Sequence, residues 1–339
     1  MKNRALYMNG KLNLAFKELD IPKPQPGEVL LKVGYCGVCG SDVHFYESGC
    51  IGATPIKGDL ILGHEAAGTV EAVGEGVTNV KVGDRVVLEP GIGCGHCEYC
   101  KSGRYNLCPD MQFISCPPYQ GAMRNYITHP AHLVYPLPEY VSTLEGALIE
   151  PLCVGMHAAN LGGVKLGDTV VILGAGCIGL TTLAACKAMS ASKIIVTDLF
   201  QNRLDKALEM GADYAINGRE EDTLARVMGA HIVFETAGNR VTAAQTESLT
   251  RRGGTIVIVG NVMGDTPMNF YKIAHKELVI KTVHRYRNVF PLAIQAISDG
   301  KIDIEKIASD CFDFDNGIAA FEKSLCEKQA VVKAILKME

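Results

Sequence analysis

The chain has 339 residues, 47% of them hydrophobic and 21% charged, with a formal net charge of -4. This is the composition of a folded globular protein. It excludes a disordered chain, which needs fewer apolar residues and more net charge, and it argues against a nucleic-acid partner, which calls for a basic excess. No apolar run reaches the ~18 residues of a spanning helix, and residues 1–10 lack the charged-then-apolar layout of a secretory signal, so a cytoplasmic chain without a membrane partner and with about two domains is expected.

In chain order, the first ~150 residues are rich in Gly and Pro and carry short β-favouring runs. Residues 29–33, 69–73, 85–88 and 133–137 read as strands bounded by Gly, Pro or Asp. The pattern changes after Pro151. Residues 169–173 are a short apolar strand, followed by Gly174-Ala175-Gly176-Cys177-Ile178-Gly179 and an apolar helix-like stretch to Ser190. Residues 193–197 form a further strand ending at Asp198, and 201–210 an amphipathic helix stopped by Gly211. Residues 232–235, 255–259 and 278–283 add strands, and strands alternating with helices predict a parallel sheet. The last ~50 residues mix helices with short strands, as a third unit or as a return to the first domain.

Thirteen cysteines, an odd number, cannot all pair within one chain. Cys94-Gly95-His96-Cys97-Glu98-Tyr99-Cys100 with Cys108 beyond it is the spacing of four thiolates converging on one Zn²⁺, with turns at Gly93 and Gly95. Such a closed shell leaves no position for substrate and reads as structural; His96 inside the loop is a rival ligand. A second set is spread along the chain: Cys39-Gly40-Ser41-Asp42-Val43-His44, then Gly63-His64-Glu65, then Leu148-Ile149-Glu150-Pro151. A thiolate, an imidazole and a carboxylate with one open position suit a catalytic zinc. Either Glu65 or Glu150 supplies the carboxylate, Cys153 is a rival in the same segment, and Asp42 is placed to orient His64 by accepting its other ring N–H. Cys36 and Cys39 also match a redox pair, but not ahead of a helix in a βαβ pattern.

The glycine loop follows a strand, opens a helix and is followed at the end of the next strand by Asp198, the context of a dinucleotide-binding turn. Gly174, Gly176 and Gly179 allow the turn and the close approach of a pyrophosphate to a helix N-terminus. Asp198 would accept hydrogen bonds from the adenosine ribose and repel a 2′-phosphate, favouring NAD. Arg203 pulls the other way, or covers the adenine or ribose face.

Together, the stretch from Cys39 to His44, Gly63-His64-Glu65, the four-cysteine loop, Glu150-Pro151-Leu152 and the glycine loop resemble the zinc-dependent medium-chain dehydrogenases over essentially the whole chain. Gly103-Arg104-Tyr105-Asn106-Leu107, the stretch from Glu145 to Pro151 and Arg285-Tyr286 bring the resemblance nearest to the sorbitol (polyol) dehydrogenase branch. The resemblance implies an α/β protein with a GroES-like β-rich catalytic domain over 1–151, a Rossmann doubly wound parallel-sheet domain over 152–287, and a segment 288–339 that returns to the first. It implies one catalytic and one structural Zn²⁺ per chain, with Cys39, His64 and Glu65 at the catalytic metal and Glu150 on its water, on the substrate or on the metal itself. It implies NAD contacts at Ile178, Asp198, Arg203, Val259, Gly260, Asn261, Val283, His284 and Arg285. It also implies polyol contacts at Phe45, Tyr46, Phe113, Glu150, Arg285 and Tyr286, and proton release through Ser41 and His44.

The implied reaction is hydride transfer from a secondary alcohol of a sorbitol- or xylitol-like alditol to NAD, in a homodimer or homotetramer. Phe45 stands where the branch often has Tyr, and the loop 116–121 departs from familiar members, so butanediol, threonine or a phosphorylated alditol stay open as substrates. A nicotinamide-binding protein without catalysis is the alternative of a different class. A zinc-dependent nucleic-acid module is a third reading of the cysteine loop, and the acidic balance counts against it.

Overall fold

The computed structural model describes residues 2–51, 54–227 and 229–338, and the chain divides into two compact units. Residues 1–150, 290–298 and 308–339 form the first; 151–289 and 299–307 form the second. The short piece 299–307 therefore goes with the second unit.

The first unit is built on a seven-stranded sheet. Its strands include β1 (Glu28–Gly37), β2 (Glu65–Val73), β3 (Arg85–Leu88), β4 (Tyr126–Pro130) and β5 (Val134–Pro136), joined late in the chain by Asp310–Asp313 and Ala334–Lys337. β1 is central: it pairs antiparallel with β2, with β4 and with Ala334–Lys337. The C-terminal segment thus completes the sheet begun at the N-terminus. Val29, Leu31, Val33, Val70, Val86, Ile127 and Leu336 sit in one continuous core with Phe45, Phe314 and Phe321.

Helix α1 (Gly40–Ser48) follows β1 directly. Its N-cap is Cys39, and the carboxylate of Asp42 three residues on accepts the Cys39 N–H at 3.2 Å. Gly49 ends it in the left-handed region at φ 79°, returning its N–H to Phe45 O. The sequence reading has no helix here, because the hydrophobic pattern over these nine residues is weak; the cap decides it. Cys36 is buried in β1, so the Cys36–Cys39 pair does precede a helix, but in an antiparallel sheet rather than a βαβ unit.

Helix α2 (Thr143–Gly162) was likewise not expected, since Pro151 reads as a boundary. Ser142 and Glu145 make a reciprocal capping box, the Ser142 N–H donating to Glu145 Oε2 at 2.7 Å and the Glu145 N–H to Ser142 Oγ at 3.0 Å. That nucleus, with Ala147, Leu148, Ile149 and Leu152 wholly buried, carries the helix through the proline at the loss of one N–H donor.

The second unit is a six-stranded, wholly parallel sheet. Its strands are β6 (Thr169–Leu173), β7 (Lys193–Asp198), β8 (Tyr214–Asn217), β9 (Ala230–Glu235), β10 (Thr250–Ile258) and β11 (Val279–Thr282), in the spatial order β8-β7-β6-β9-β10-β11. Its central strands are near-continuous apolar runs because helices cover both faces of such a sheet; residues 170–173 of β6 are fully buried. The order reverses between β6 and β9, and it is outside the strand ends at such a switch point that open α/β sheets bind ligands. Helices α3 (Cys177–Ala188), α4 (Gln201–Glu209) and α5 (Arg240–Leu249) follow β6, β7 and β9.

Candidate active site

The N-cap of α1 and the start of β2 bring together Cys39, His64 and Glu65, whose ligand atoms all lie within 4.8 Å of one another. Glu65 is 1% exposed, and its position depends on Gly37 across the β1–β2 pair, where any side chain would collide with Glu65 Oε2. His64 is buried with the ring of Phe113 5.3 Å away, centroid to centroid. Asp42 is fully buried and faces His64 Nδ1 at 3.7 Å, longer than a hydrogen bond. The near oxygen of Asp42 is taken by the Ser115 hydroxyl at 2.7 Å and the Gly63 N–H at 3.4 Å. Burial alone would depress the His64 imidazole pKa; the neighbouring charges of Asp42 and Cys39 outweigh it and raise that pKa well above its ordinary value. A thiolate, an imidazole and a carboxylate converging in a buried corner are a donor set that fits a divalent zinc ion with a position left open.

One partner in this corner has no local signal in sequence. Lys333, on the last turn before Ala334–Lys337, is 3% exposed and donates to both oxygens of Glu65 at 2.7 and 2.8 Å. It lies 268 residues further along the chain. Glu150 is buried in α2, in the same unit and outside the three-residue convergence, while Cys153 falls in the second unit. Phe45 and Tyr46 on α1 are packed into the core, Tyr46 edge-on to Phe321 at 5.8 Å. Ser41 is half-buried and His44 exposed on the same helix.

The four cysteines of the loop also converge: Cys94, Cys97, Cys100 and Cys108 place their sulfurs within 4.8 Å. Gly95 turns the chain at φ 78°, and backbone N–H groups point at the sulfurs, Cys97 to Cys94, Cys100 to Cys97 and Cys94 to Cys108, each at 3.4 Å. The amides of His96 and Cys97 pull the Cys94 thiol down to about 6, while burial pushes Cys100 up to about 12. Four thiolates this close need a cation to neutralise them, and tetrahedral zinc fits the set. His96 turns Nδ1 to the Cys94 carbonyl at 2.8 Å; with Cys94 and Asp110 it forms a further close group. All thirteen cysteines are free thiols. The lobe is moored by Glu89, 2% exposed, whose carboxylate accepts the hydroxyls of Tyr105 at 2.7 Å and Tyr135 at 2.8 Å.

In the second unit the glycine loop joins β6 to α3. Gly174 has φ 108°, a left-handed conformation that favours glycine. Gly179 packs so closely on the Gly174 carbonyl that no Cβ fits, which holds helix to strand. Gly176 caps α3. Asp198 ends β7 with Oδ2 accepting from the Ala175 N–H at 2.7 Å and Oδ1 from Leu199 and Phe200 at 2.7 and 3.0 Å. Through these bonds Asp198 braces the glycine loop. A cavity of about 840 Å³ opens here, lined among others by Gly174, Gly176, Asp198, Arg203, Thr236 and Arg240. Arg203 lies over the Phe200 ring at 5.4 Å. Ile178 sits in the first turn of α3, Val259, Gly260 and Asn261 follow β10, and Val283 donates its N–H to Ile258. After β11, Arg285 adopts φ 55°, Tyr286 is buried, and the His284 imidazole pKa is lowered by partial desolvation and by Arg285. A strained non-glycine residue such as Arg285 is a feature often found at binding loops.

A GroES-like first unit with a candidate zinc corner and a Rossmann second unit with a dinucleotide turn define a zinc-type alcohol dehydrogenase. Residues 25–139 match the alcohol dehydrogenase GroES-like domain and residues 177–299 the zinc-binding dehydrogenase domain, and the chain belongs to that family of zinc-binding oxidoreductases. It is 47% identical to the zinc-type alcohol dehydrogenase-like protein YdjJ of Escherichia coli, over 100% of this chain and 99% of that one. It is 40% identical to the sorbitol dehydrogenase of Bacillus subtilis, over 98% and 96%. A solved Escherichia coli oxidoreductase/dehydrogenase of unknown specificity superposes with a TM-score of 0.97 at 47% identity, over all of both chains. Among the described residues no helix is long and apolar enough to cross a membrane.

Proposed function

We propose that the protein interconverts a secondary alcohol of a polyol and the corresponding ketose, with zinc and NAD. The observation that carries this reading is the convergence of Cys39, His64 and Glu65 in one buried corner. A zinc ion held there supplies a positive charge that favours the alkoxide form of the substrate hydroxyl at neutral pH. Cys39 and His64 hold the ion. Glu65 completes the set by turning one oxygen from Lys333, or Glu150 takes that place. Glu150 otherwise receives a neighbouring hydroxyl of the substrate, which favours diols over simple alcohols. Phe113, packed on His64, walls the site, and Arg285, which offers several donors to vicinal hydroxyls, and Tyr286 contact the polyol. Phe45 and Tyr46 act through packing beneath α1. Ser41 and His44 carry the released proton toward solvent, the exposed position of His44 supporting that role. The four-cysteine loop holds a second, structural zinc.

The second unit holds NAD, with the pyrophosphate at Gly174, Gly176, Ile178 and Gly179 and the adenosine ribose at Asp198 and Arg203. The nicotinamide end lies along Val259-Gly260-Asn261 and Val283-His284-Arg285. The Asp198 carboxylate disfavours a 2′-phosphate. The coenzyme accepts the hydride, and the protein supplies position and field.

The test is coenzyme reduction with a panel of alditols, 2,3-butanediol, threonine and phosphorylated alditols, with NAD and with NADP. Oxidation of alditols with NAD, lost in His64→Ala, is expected. Preference for another class of alcohol would move the substrate assignment. Zinc and NADH binding without turnover of any alcohol would favour a non-catalytic coenzyme-binding role.

A further inference from the structure

Glu235 ends β9 at the switch point of the parallel sheet and is 0% exposed. A buried carboxylate is costly unless its oxygens are matched. Here Oε1 accepts the Gly238 N–H at 2.9 Å and the Thr242 hydroxyl at 2.7 Å, whereas Oε2 is buried with no hydrogen-bond partner among the described residues. Its backbone carbonyl accepts the N–H groups of Val259 at 2.8 Å and Gly260 at 2.9 Å. One residue therefore ties the turn after β9, the first turn of α5 and the turn after β10.

The packing around it is equally tight. A Cβ at Gly260 would lie 2.7 Å from Glu235 Oε2, and one at Gly174 would lie 2.9 Å from Ala237 N. The next residue, Thr236, donates its hydroxyl to Leu173 O at 2.9 Å and Gly174 O at 3.0 Å. The three turns that follow β6, β9 and β10 are thus stitched together through residues 235–238, and Thr236, Ala237, Asn239 and Thr242 line the same cavity as the glycine loop.

We propose that Glu235 is a positioning residue for the coenzyme: its side chain pins the turn after β9 to the first turn of α5, packed beside Gly260, and so determines nicotinamide dinucleotide affinity. The inference rests on the dinucleotide reading of this cavity. Burial raises the Glu235 carboxyl above its ordinary value, against the Thr242 hydroxyl and the amides of Gly238, Asn239 and Ala237, which lower it. What the turn needs from Glu235 is an acceptor at Oε1 and a group of the same shape beside Gly260, and a glutamine provides both.

The experiment is NADH binding to the zinc-loaded protein, read by the change in nicotinamide fluorescence, with KM for NAD and kcat measured alongside. Glu235→Ala, which removes both bonds to Oε1, each of modest net worth, should weaken NADH binding about tenfold and raise KM for NAD with kcat within about threefold. Glu235→Gln should bind NADH within about threefold of the parent. Should Glu235→Ala not fold, Thr242→Val removes one of the two bonds to Oε1 and should weaken binding by a smaller factor. If the parent binds NADH and Glu235→Ala, or Thr242→Val in its place, binds it equally well, or if Gln fails as badly as Ala, the positioning role is wrong. If the parent itself binds no NADH, the dinucleotide reading fails, and the positioning role with it.

Discussion

At the scale of single residues, the pair Lys333–Glu65 decides what the metal corner can do. Both groups are almost fully buried, and removing one partner of such a pair leaves an uncompensated charge, at a cost of about 3–5 kcal/mol. Lys333→Met should therefore lower the zinc-free protein's stability by about that much, read from denaturant midpoints. If Glu65 is the third ligand, bound zinc takes over the neutralising role of the ammonium, and the deficit should shrink markedly in the zinc-loaded protein. An equal deficit with and without zinc would remove Glu65 from the ligand set and leave Glu150. Cys39, His64 and the rival carboxylates Glu65 and Glu150 were candidates along the chain, with Glu65 preferred by resemblance, and the aspartate at the end of β7 was visible beside its glycine loop. Lys333 and Glu235 were not, since neither sits in a recognisable local pattern. The signal that could have found Glu235 is its place alone: like Asp198, it is an acid at the end of a parallel strand.

At the scale of elements, the cysteine lobe has little regular structure to fix its shape. Its residues 94–108 hold only a four-residue helix and one 3-10 turn, Glu98–Lys101 and Tyr105–Leu107, too little to order it by hydrogen bonding alone. Cys100→Ser should reduce bound zinc by about one ion per chain in metal analysis while leaving the Cys39–His64 corner loaded. Loss of both ions together would show that the two sites are not independent. Tyr105 and Tyr135 anchor the lobe on Glu89, so Tyr105→Phe should cost about 1–3 kcal/mol by leaving a buried carboxylate oxygen short of a donor. The strands with β-branched runs and bounding turns were legible, with 85–88 and 169–173 placed at their observed ends, whereas Asn3–Met8, Leu14–Leu19, Tyr126–Pro130 and Tyr214–Asn217 were missed. Helices α1 and α2 were not, because a weak pattern and an internal proline hid them, and their caps are what order them.

For the whole molecule, β11 is the open edge of the second unit's sheet, and all four of its residues are exposed, Val279 and Ile280 among them. Unpaired N–H and C=O groups flanked by apolar side chains are a template for pairing with another strand. An identical β11 across a two-fold axis would continue the sheet and cover that edge. Sedimentation is expected to show a dimer or tetramer, and Ile280→Pro, which removes an edge donor, should shift it toward monomer. A parent that sediments as a monomer would sink the pairing.

The sequence by itself determined the class of chemistry. The four-cysteine loop and the glycine turn are local patterns, formed by residues near one another in the chain, whereas the Cys39, His64 and glutamate set is spread along it and was gathered by resemblance. The sequence also located the apolar strands of the second unit's sheet except β8, since burial on both faces imposes a run of apolar residues. Only the tertiary structure decided which distant groups meet. Lys333 reaches Glu65 because the C-terminal strand is the antiparallel neighbour of β1, and Glu235 meets the turn after β10 because β9 and β10 are parallel neighbours. Such contacts between residues remote along the chain leave no period or spacing to read, and they set how the metal corner and the coenzyme loops are held.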